Sequence, residues 1–171
     1  MHERHGFVTF KGNPLTLLGE APQIGSKAPD FSALRGDLSA FSLSSTAGKT
    51  VVINSVLSLD TATCATQARH FNQDVAGLGD DVKAIVISMD LPFAQSRFCT
   101  TEGIANLETL SDHRDAAFGT AYGMLFKELR LLARGVFVID KGGVLRYVQL
   151  VPEASHEPEY APALEAIKAV R

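Results

Sequence analysis

Two apolar runs, Thr50-Val51-Val52-Ile53-Asn54-Ser55-Val56 and Val82-Lys83-Ala84-Ile85-Val86-Ile87-Ser88, constrain this chain more than any other feature. The first is dominated by β-branched residues and the second is similar, a composition that fits a pleated, buried surface. Neither alternates strictly between polar and apolar, so each is expected to be a strand covered on both faces. Between them, Ala65, Ala68, Phe71, Val75 and Ala76 recur near the helical period. That spacing predicts a helix over Cys64–Ala76, ended by Gly77 and Gly79. A strand, a helix and a strand in this order imply a parallel pair joined by a right-handed crossover.

The remaining elements follow from shorter signals. Gly6–Phe10 and Leu15–Gly19 flank Gly12-Asn13-Pro14, which reads as a hairpin about that turn. Asp30–Leu34 and Leu38–Leu43 are short extended candidates, and Asn106–Leu110 is another. Pro92 suits the first turn of a helix reaching Phe98. Ala116–Tyr122 is a short helix. Gly135–Asp140 and Val144–Val151 flank Lys141-Gly142-Gly143 as a second hairpin. A terminal helix is expected over Pro158–Val170, regular from near Pro162, with Tyr160, Ala163, Leu164, Ile167 and Val170 on one stripe. The sum is an α/β fold, a central mixed sheet flanked by helices. It is expected to be one domain over residues 1–171, with residues 1–20 as a hairpin extension.

Composition narrows the function. At 171 residues the chain can bury roughly 70% of its unfolded surface, so no disulfide or metal is required for folding. Sixteen Lys and Arg against nineteen Asp and Glu give a net charge of -3 and no basic stripe, so no nucleic-acid partner is expected. No apolar run approaches a membrane span, and no membrane partner is expected. Met1–Pro14 has charges but no apolar core of a secretory leader, which makes the cytoplasm the default location. Two cysteines, Cys64 and Cys99, are too few for a disulfide scaffold or a four-cysteine zinc site.

Cys64 stands where a polar loop meets a helix start. Unpaired N–H groups and the positive dipole end favour a thiolate there. The same position also suits a small buried hydrophobe, and location alone leaves both open. Thr61, three residues earlier, can cap the helix and point toward the sulfur. Cys99 closes Ser96-Arg97-Phe98-Cys99 and, taken alone, reads as a buried thiol. Arg134 enters an apolar strand, where an arginine is ordinarily solvated or snorkelling. His2, His5, His70, His113 and His156 show no metal-ligand spacing, so no metal is expected. Gly77-Leu78-Gly79-Asp80-Asp81 ends a helix rather than opening one, unlike a dinucleotide loop. Asp112-His113-Arg114-Asp115 reads as a solvated loop.

Taken together these segments resemble a known family. Ser58-Leu59-Asp60-Thr61-Ala62-Thr63-Cys64-Ala65-Thr66-Gln67 is similar to the peroxidatic loop of peroxiredoxins. Leu91-Pro92-Phe93-Ala94-Gln95-Ser96-Arg97-Phe98-Cys99 resembles the resolving-cysteine helix of their thiol peroxidase subfamily. Val8–Pro14, Gly25, Ala28–Phe31, Ala133–Asp140 and Gln149–Val151 look like the same subfamily, in order along essentially the whole chain. The resemblance implies a thioredoxin-like fold with an N-terminal β-hairpin. It also implies an atypical two-cysteine mechanism on hydroperoxides, a homodimer, thioredoxin as external reductant and no bound cofactor. By position, Cys64 matches the peroxidatic cysteine, Cys99 the resolving one, Thr61 the loop threonine and Arg134 the catalytic arginine. One position departs: Leu57 replaces the proline seven residues before the peroxidatic cysteine in P-S-x-D-T-x-x-C. Two other readings use the same cysteines, a protein disulfide oxidoreductase and a non-catalytic redox sensor. The first is disfavoured because Cys64-Ala65-Thr66-Gln67 lacks a second thiol.

Overall fold

A computed structural model describes residues 1–171. In chain order the elements are β1 (Glu3–Phe10), β2 (Asn13–Leu18), β3 (Ser32–Leu34), β4 (Ala40–Ser42), a 3₁₀ turn (Leu43–Thr46), β5 (Thr50–Ser55), α1 (Ala62–Asp74), β6 (Val82–Ser88), α2 (Pro92–Glu102), β7 (Glu108–Ser111), α3 (Ala117–Ala121), β8 (Leu125–Phe126), β9 (Gly135–Ile139), β10 (Leu145–Leu150) and α4 (Tyr160–Ala169). Seven strands form one mixed sheet in the order β10-β9-β5-β6-β7-β3-β4, and β1-β2-β8 form a second. Every residue of β5 is buried, as its unbroken apolar run requires.

The register decides what meets at the site. β5 and β6 pair in parallel from Thr50↔Val82 to Ser55↔Ile87. On its other side β5 pairs antiparallel with β9, from Val51↔Ile139 to Ser55↔Gly135. The end of β5 therefore lies beside the start of β9, and the loop leaving one faces the residue entering the other. The Ser55 hydroxyl donates to the Ala133 carbonyl at 2.7 Å, which fixes that junction. The crossovers β5-α1-β6 and β6-α2-β7 advance in one direction, and their common right hand puts α1 and α2 on the same face. Arg69 of α1 pairs with Glu102 of α2 at 2.8 Å, and Phe71 packs on Tyr160 of α4. Phe31, Phe118, Tyr122 and Phe137 form edge-on and stacked pairs that seat α3.

The structure alters several boundaries. The first hairpin turns at Lys11-Gly12, both at positive φ, rather than at Gly12-Asn13-Pro14. Asn13 pairs with Phe10 and Pro14 with Thr9 inside the ladder. Proline is tolerated there because β2 meets its other neighbour, β8, only at Leu17 and Leu18. β8 itself carries too few residues to show a period. α2 continues past Phe98 to Glu102 and stops at Gly103, whose φ of 66° suits glycine.

Asp112 corrects the solvated-loop reading of 112–115. Its side chain is buried and accepts N–H bonds from Phe118 at 3.0 Å and Gly119 at 2.8 Å at the start of α3. Burial pushes its carboxyl up to about 6, although those N–H bonds pull the other way. The folded state thus holds a proton that the unfolded chain releases near 3.8, the ordinary value of an aspartate. Stability from this group is full below that value and falls as pH rises to about 6. Chemical denaturation at pH 4, 5 and 6 should show wild type losing stability, of order 2 kcal/mol, relative to Asp112→Asn. A difference that stays flat across this range would contradict the assignment.

Candidate active site

The site grows from the end of β5. Residues 56–61 leave the sheet as a loop, and Thr61, with φ -95° and ψ 145°, caps α1. Its Oγ1 accepts the Cys64 N–H at 3.4 Å and donates to the Ser58 carbonyl at 3.0 Å. Cys64 is thus the third residue of the helix, in the turn where backbone N–H groups lack helical partners. The expected helix start moves back two residues because Ala62 and Thr63 complete that first turn. The Cys64 side chain is fully buried, and Thr61 is exposed.

Arg134 reaches the sulfur from the start of β9. Its side chain is only 1% exposed, which overturns the solvated or snorkelling expectation. Nη2 donates to Cys64 Sγ at 3.3 Å and to the Ala154 carbonyl at 2.9 Å. Nε donates to the same carbonyl at 3.0 Å, and Nη1 to Gln67 Oε1 at 2.8 Å. Gly135 lets this strand start lie close to its neighbour, since a Cβ there would come within 2.7 Å of the Gln149 carbonyl. None of the ion pairs in the molecule includes Arg134. A buried charge without a counter-charge costs several kcal/mol. Among the atoms that Arg134 touches, Cys64 Sγ is the one that can ionise.

Gln67 was not singled out in the sequence, yet it lies one helical turn beyond Cys64 on the same face of α1. Its carbonyl holds Arg134, and its Nε2 is buried with no partner. The legible signal was a polar side chain three residues after the thiol. Asp90 was also missed. Its carboxylate accepts from Ser58 Oγ at 2.6 Å, Leu59 N at 2.8 Å and Ser88 Oγ at 2.6 Å, pinning the loop before Cys64 to the end of β6.

Cys99 belongs to a separate part of the site. It is half-buried in α2, with Sγ 3.8 Å from Thr109 Oγ1 on β7, and both cysteines are free thiols. Burial pushes the Cys99 thiol up, against the opposing pull of Thr109. A cleft of about 420 Å³ separates the start of α1 from α2, lined by Thr61, Ala62 and Ala65 on one side and Ala94, Phe98 and Thr101 on the other. Neither cysteine lines it. One sulfur faces Arg134 and the other faces β7. The structure therefore brings Cys64, Thr61 and Arg134 together and leaves Cys99 apart. No group of three or more His, Cys, Asp or Glu side chains is placed to hold a metal ion.

Comparisons with known proteins place the chain in a family. The redoxin family model matches residues 23–164. The chain belongs to the redoxin family. A thiol peroxidase of Halalkalibacterium halodurans is 51% identical over 162 residues, covering 95% of this chain and 97% of the relative. The thiol peroxidase of Bacillus subtilis is 49% identical over 163 residues, with the same two coverages. Among solved structures, a peroxiredoxin-like protein from Aquifex aeolicus matches with TM-score 0.91 and 39% identity over all of both chains. A thiol peroxidase from Chromobacterium violaceum shares the fold, with TM-score 0.83 at 21% identity, covering 95% of this chain and 93% of that one. Within the redoxins this chain is a thiol peroxidase, and the thioredoxin-like fold stands.

Leu57, where the family pattern has proline, is 3% exposed in the loop between β5 and Cys64. Its N–H makes no hydrogen bond within the protein, and its φ is not positive. A proline ring would therefore remove no bond there. Leu57→Pro should fold and keep at least the wild-type rate of Cys64 oxidation by peroxide, read by rapid quench and mass spectrometry. A folded variant that oxidises more than tenfold slower would show that the leucine loop has a geometry of its own.

Proposed function

We propose that this thiol peroxidase reduces hydrogen peroxide and organic hydroperoxides through a sulfenic acid on Cys64, resolved by Cys99 within the same chain. The observation that carries the reading is the Arg134 guanidinium, buried without a carboxylate and set 3.3 Å from the Cys64 sulfur. An ionised sulfur is the partner that neutralises it. The thiolate attacks one peroxide oxygen, an S–O bond forms, and the O–O bond breaks. Negative charge develops on the departing oxygen, which takes up a proton and leaves as water or an alcohol. A fixed guanidinium beside the reacting atoms stabilises that charge without reorganising. Thr61 can orient the peroxide once its hydroxyl releases the Ser58 carbonyl.

The sulfenic acid then condenses with the Cys99 thiol, releasing water and forming a disulfide. Disulfide geometry needs Cα atoms within about 7 Å. With the sulfurs facing away from the cleft, the first turn of α1 and the end of α2 must unwind for them to meet. The same movement takes Cys99 away from the burial that keeps it protonated. An external dithiol, which we take to be thioredoxin, then reduces the disulfide to two thiols and is itself oxidised. The cycle uses no metal or organic cofactor. It suits a reducing compartment such as the cytoplasm, and a homodimer would cover the exposed Leu91 and Phe93 beside the cleft.

Cys64→Ser should abolish peroxide consumption, because a serine hydroxyl at neutral pH is a far weaker nucleophile than a thiolate. Cys99→Ser should consume one equivalent of peroxide per chain and then stop cycling with thioredoxin. Peroxide-dependent oxidation of thioredoxin, followed with each variant, checks both. Continued turnover by Cys64→Ser would overturn the nucleophile, and normal cycling by Cys99→Ser would overturn the intramolecular disulfide.

A further inference from the structure

We propose that Glu153 is a positioning residue for Arg134, through which the N-terminal hairpin β1-β2 holds the guanidinium on the reactive sulfur. The inference rests on the reading of Arg134 and Cys64 given above and extends it to a part of the fold with no assigned role. Arg134 grips one backbone carbonyl, that of Ala154, with both Nε and Nη2. Such a two-point grip fixes the plane of the guanidinium. Nη2 is also the nitrogen that reaches Cys64 Sγ. The position of the Ala154 carbonyl thus sets the direction in which Arg134 meets the sulfur.

That carbonyl sits in a segment with no helix or strand around it, between β10 and α4. What fixes it comes largely from the hairpin. Thr9 N donates to the Pro152 carbonyl and Ala154 N to the Thr9 carbonyl, both at 2.8 Å. Glu153 completes the clamp. Its Oε2 accepts from Thr9 Oγ1 at 2.6 Å and Gly12 N at 3.1 Å. Its Oε1 accepts from Lys11 N at 2.8 Å, Ser155 N at 3.1 Å and Ser155 Oγ at 2.7 Å. These donors, the Thr9 hydroxyl foremost, hold the carboxyl well below the usual carboxylate range. On the far side of the segment, Thr63 of α1 donates to the Ser155 carbonyl at 3.2 Å, so the clamp also touches the helix that carries Cys64.

Five donors face Glu153, and each carboxylate oxygen meets at least one backbone N–H that can only donate, Lys11 N and Ser155 N at Oε1 and Gly12 N at Oε2, so an amide cannot replace the carboxylate. In Glu153→Gln the NH₂ group must face N–H or O–H donors whichever way the amide turns. The turn then loses its grip and the Ala154 carbonyl moves.

The test is a double-mutant cycle on the rate constant for Cys64 oxidation by hydrogen peroxide. It is measured by rapid quench in the Cys99→Ser chain, so that resolution plays no part. Glu153→Gln should lower the rate by about tenfold. Thr9→Val, which removes one donor and keeps the shape, should lower it by about threefold. In an Arg134→Met background each change should cost less than twofold, because the group they position is gone. Thr9→Val carries the same cycle if Glu153→Gln does not fold. Equal losses in both backgrounds would overturn the proposal, since they would mark general destabilisation. So would a folded Glu153→Gln chain with the wild-type rate. Arg134→Met with a wild-type rate would instead overturn the reading of the site on which the proposal rests.

Discussion

A guanidinium sealed from water with no carboxylate beside it is the constraint around which this protein is arranged. Arg134 has neutral acceptors at Ala154 and Gln67, and these satisfy its N–H groups without balancing its charge. Desolvating a lone cation costs several kcal/mol, and truncating either member of a buried pair is strongly destabilising. The Cys64 sulfur is the contact that can supply the missing charge. A peroxidatic thiol needs the same thing, a fixed cation at the sulfur that also meets the leaving oxygen. Under the peroxidatic role proposed for Cys64, structural demand and chemical demand are met by one contact.

The fold brings this contact about by strand direction. Cys64 and Arg134 are 70 residues apart, yet antiparallel pairing of β9 on β5 sets the exit of one strand against the entrance of the other. The second cysteine is placed by a different rule. Two right-handed crossovers set α1 and α2 side by side, but the helices line the cleft with Ala62, Ala65, Ala94, Arg97, Phe98, Thr101 and Glu102, and neither sulfur lines it. Asp90 links the two parts. It holds Ser58 and Leu59 ahead of Cys64, and it accepts a hydrogen bond from the Ser88 hydroxyl, whose oxygen accepts from Gln95 of α2 at 3.0 Å. The carboxylate can only accept, so the Ser88 proton is committed to it and the direction of the chain is fixed. The loop before Cys64 and the helix carrying Cys99 therefore share one hydrogen-bond network.

Much of this was legible in the residues. The unbroken runs of β5 and β6 and the period of α1 gave the sheet, and the order of the elements gave its handedness. The resemblance pointed to Cys64, Cys99, Thr61 and Arg134, and three of these do meet in space. What escaped notice had physical reasons. β8 is two residues long and has no period to detect. Gly12-Asn13-Pro14 has the composition of a turn, but Lys11 takes the positive φ and Pro14 joins a ladder. Asp112 lies in a charged run that looks solvated, and only the packing of α3 reveals it as a buried acceptor. Gln67 could have been found by helical spacing from Cys64. Glu153 could not, because its partner Thr9 lies 144 residues away and no local pattern joins them.

The most direct measurement of the central claim is the single-turnover rate constant for Cys64 oxidation by hydrogen peroxide in Arg134→Met against wild type, with folding verified by circular dichroism. Loss of a fixed donor at a developing anion typically costs about 100-fold to 1000-fold, and a fall of at least about 100-fold is predicted here. A folded Arg134→Met chain that oxidises within about threefold of wild type would contradict the account, because the buried guanidinium would then contribute under 1 kcal/mol to the reaction.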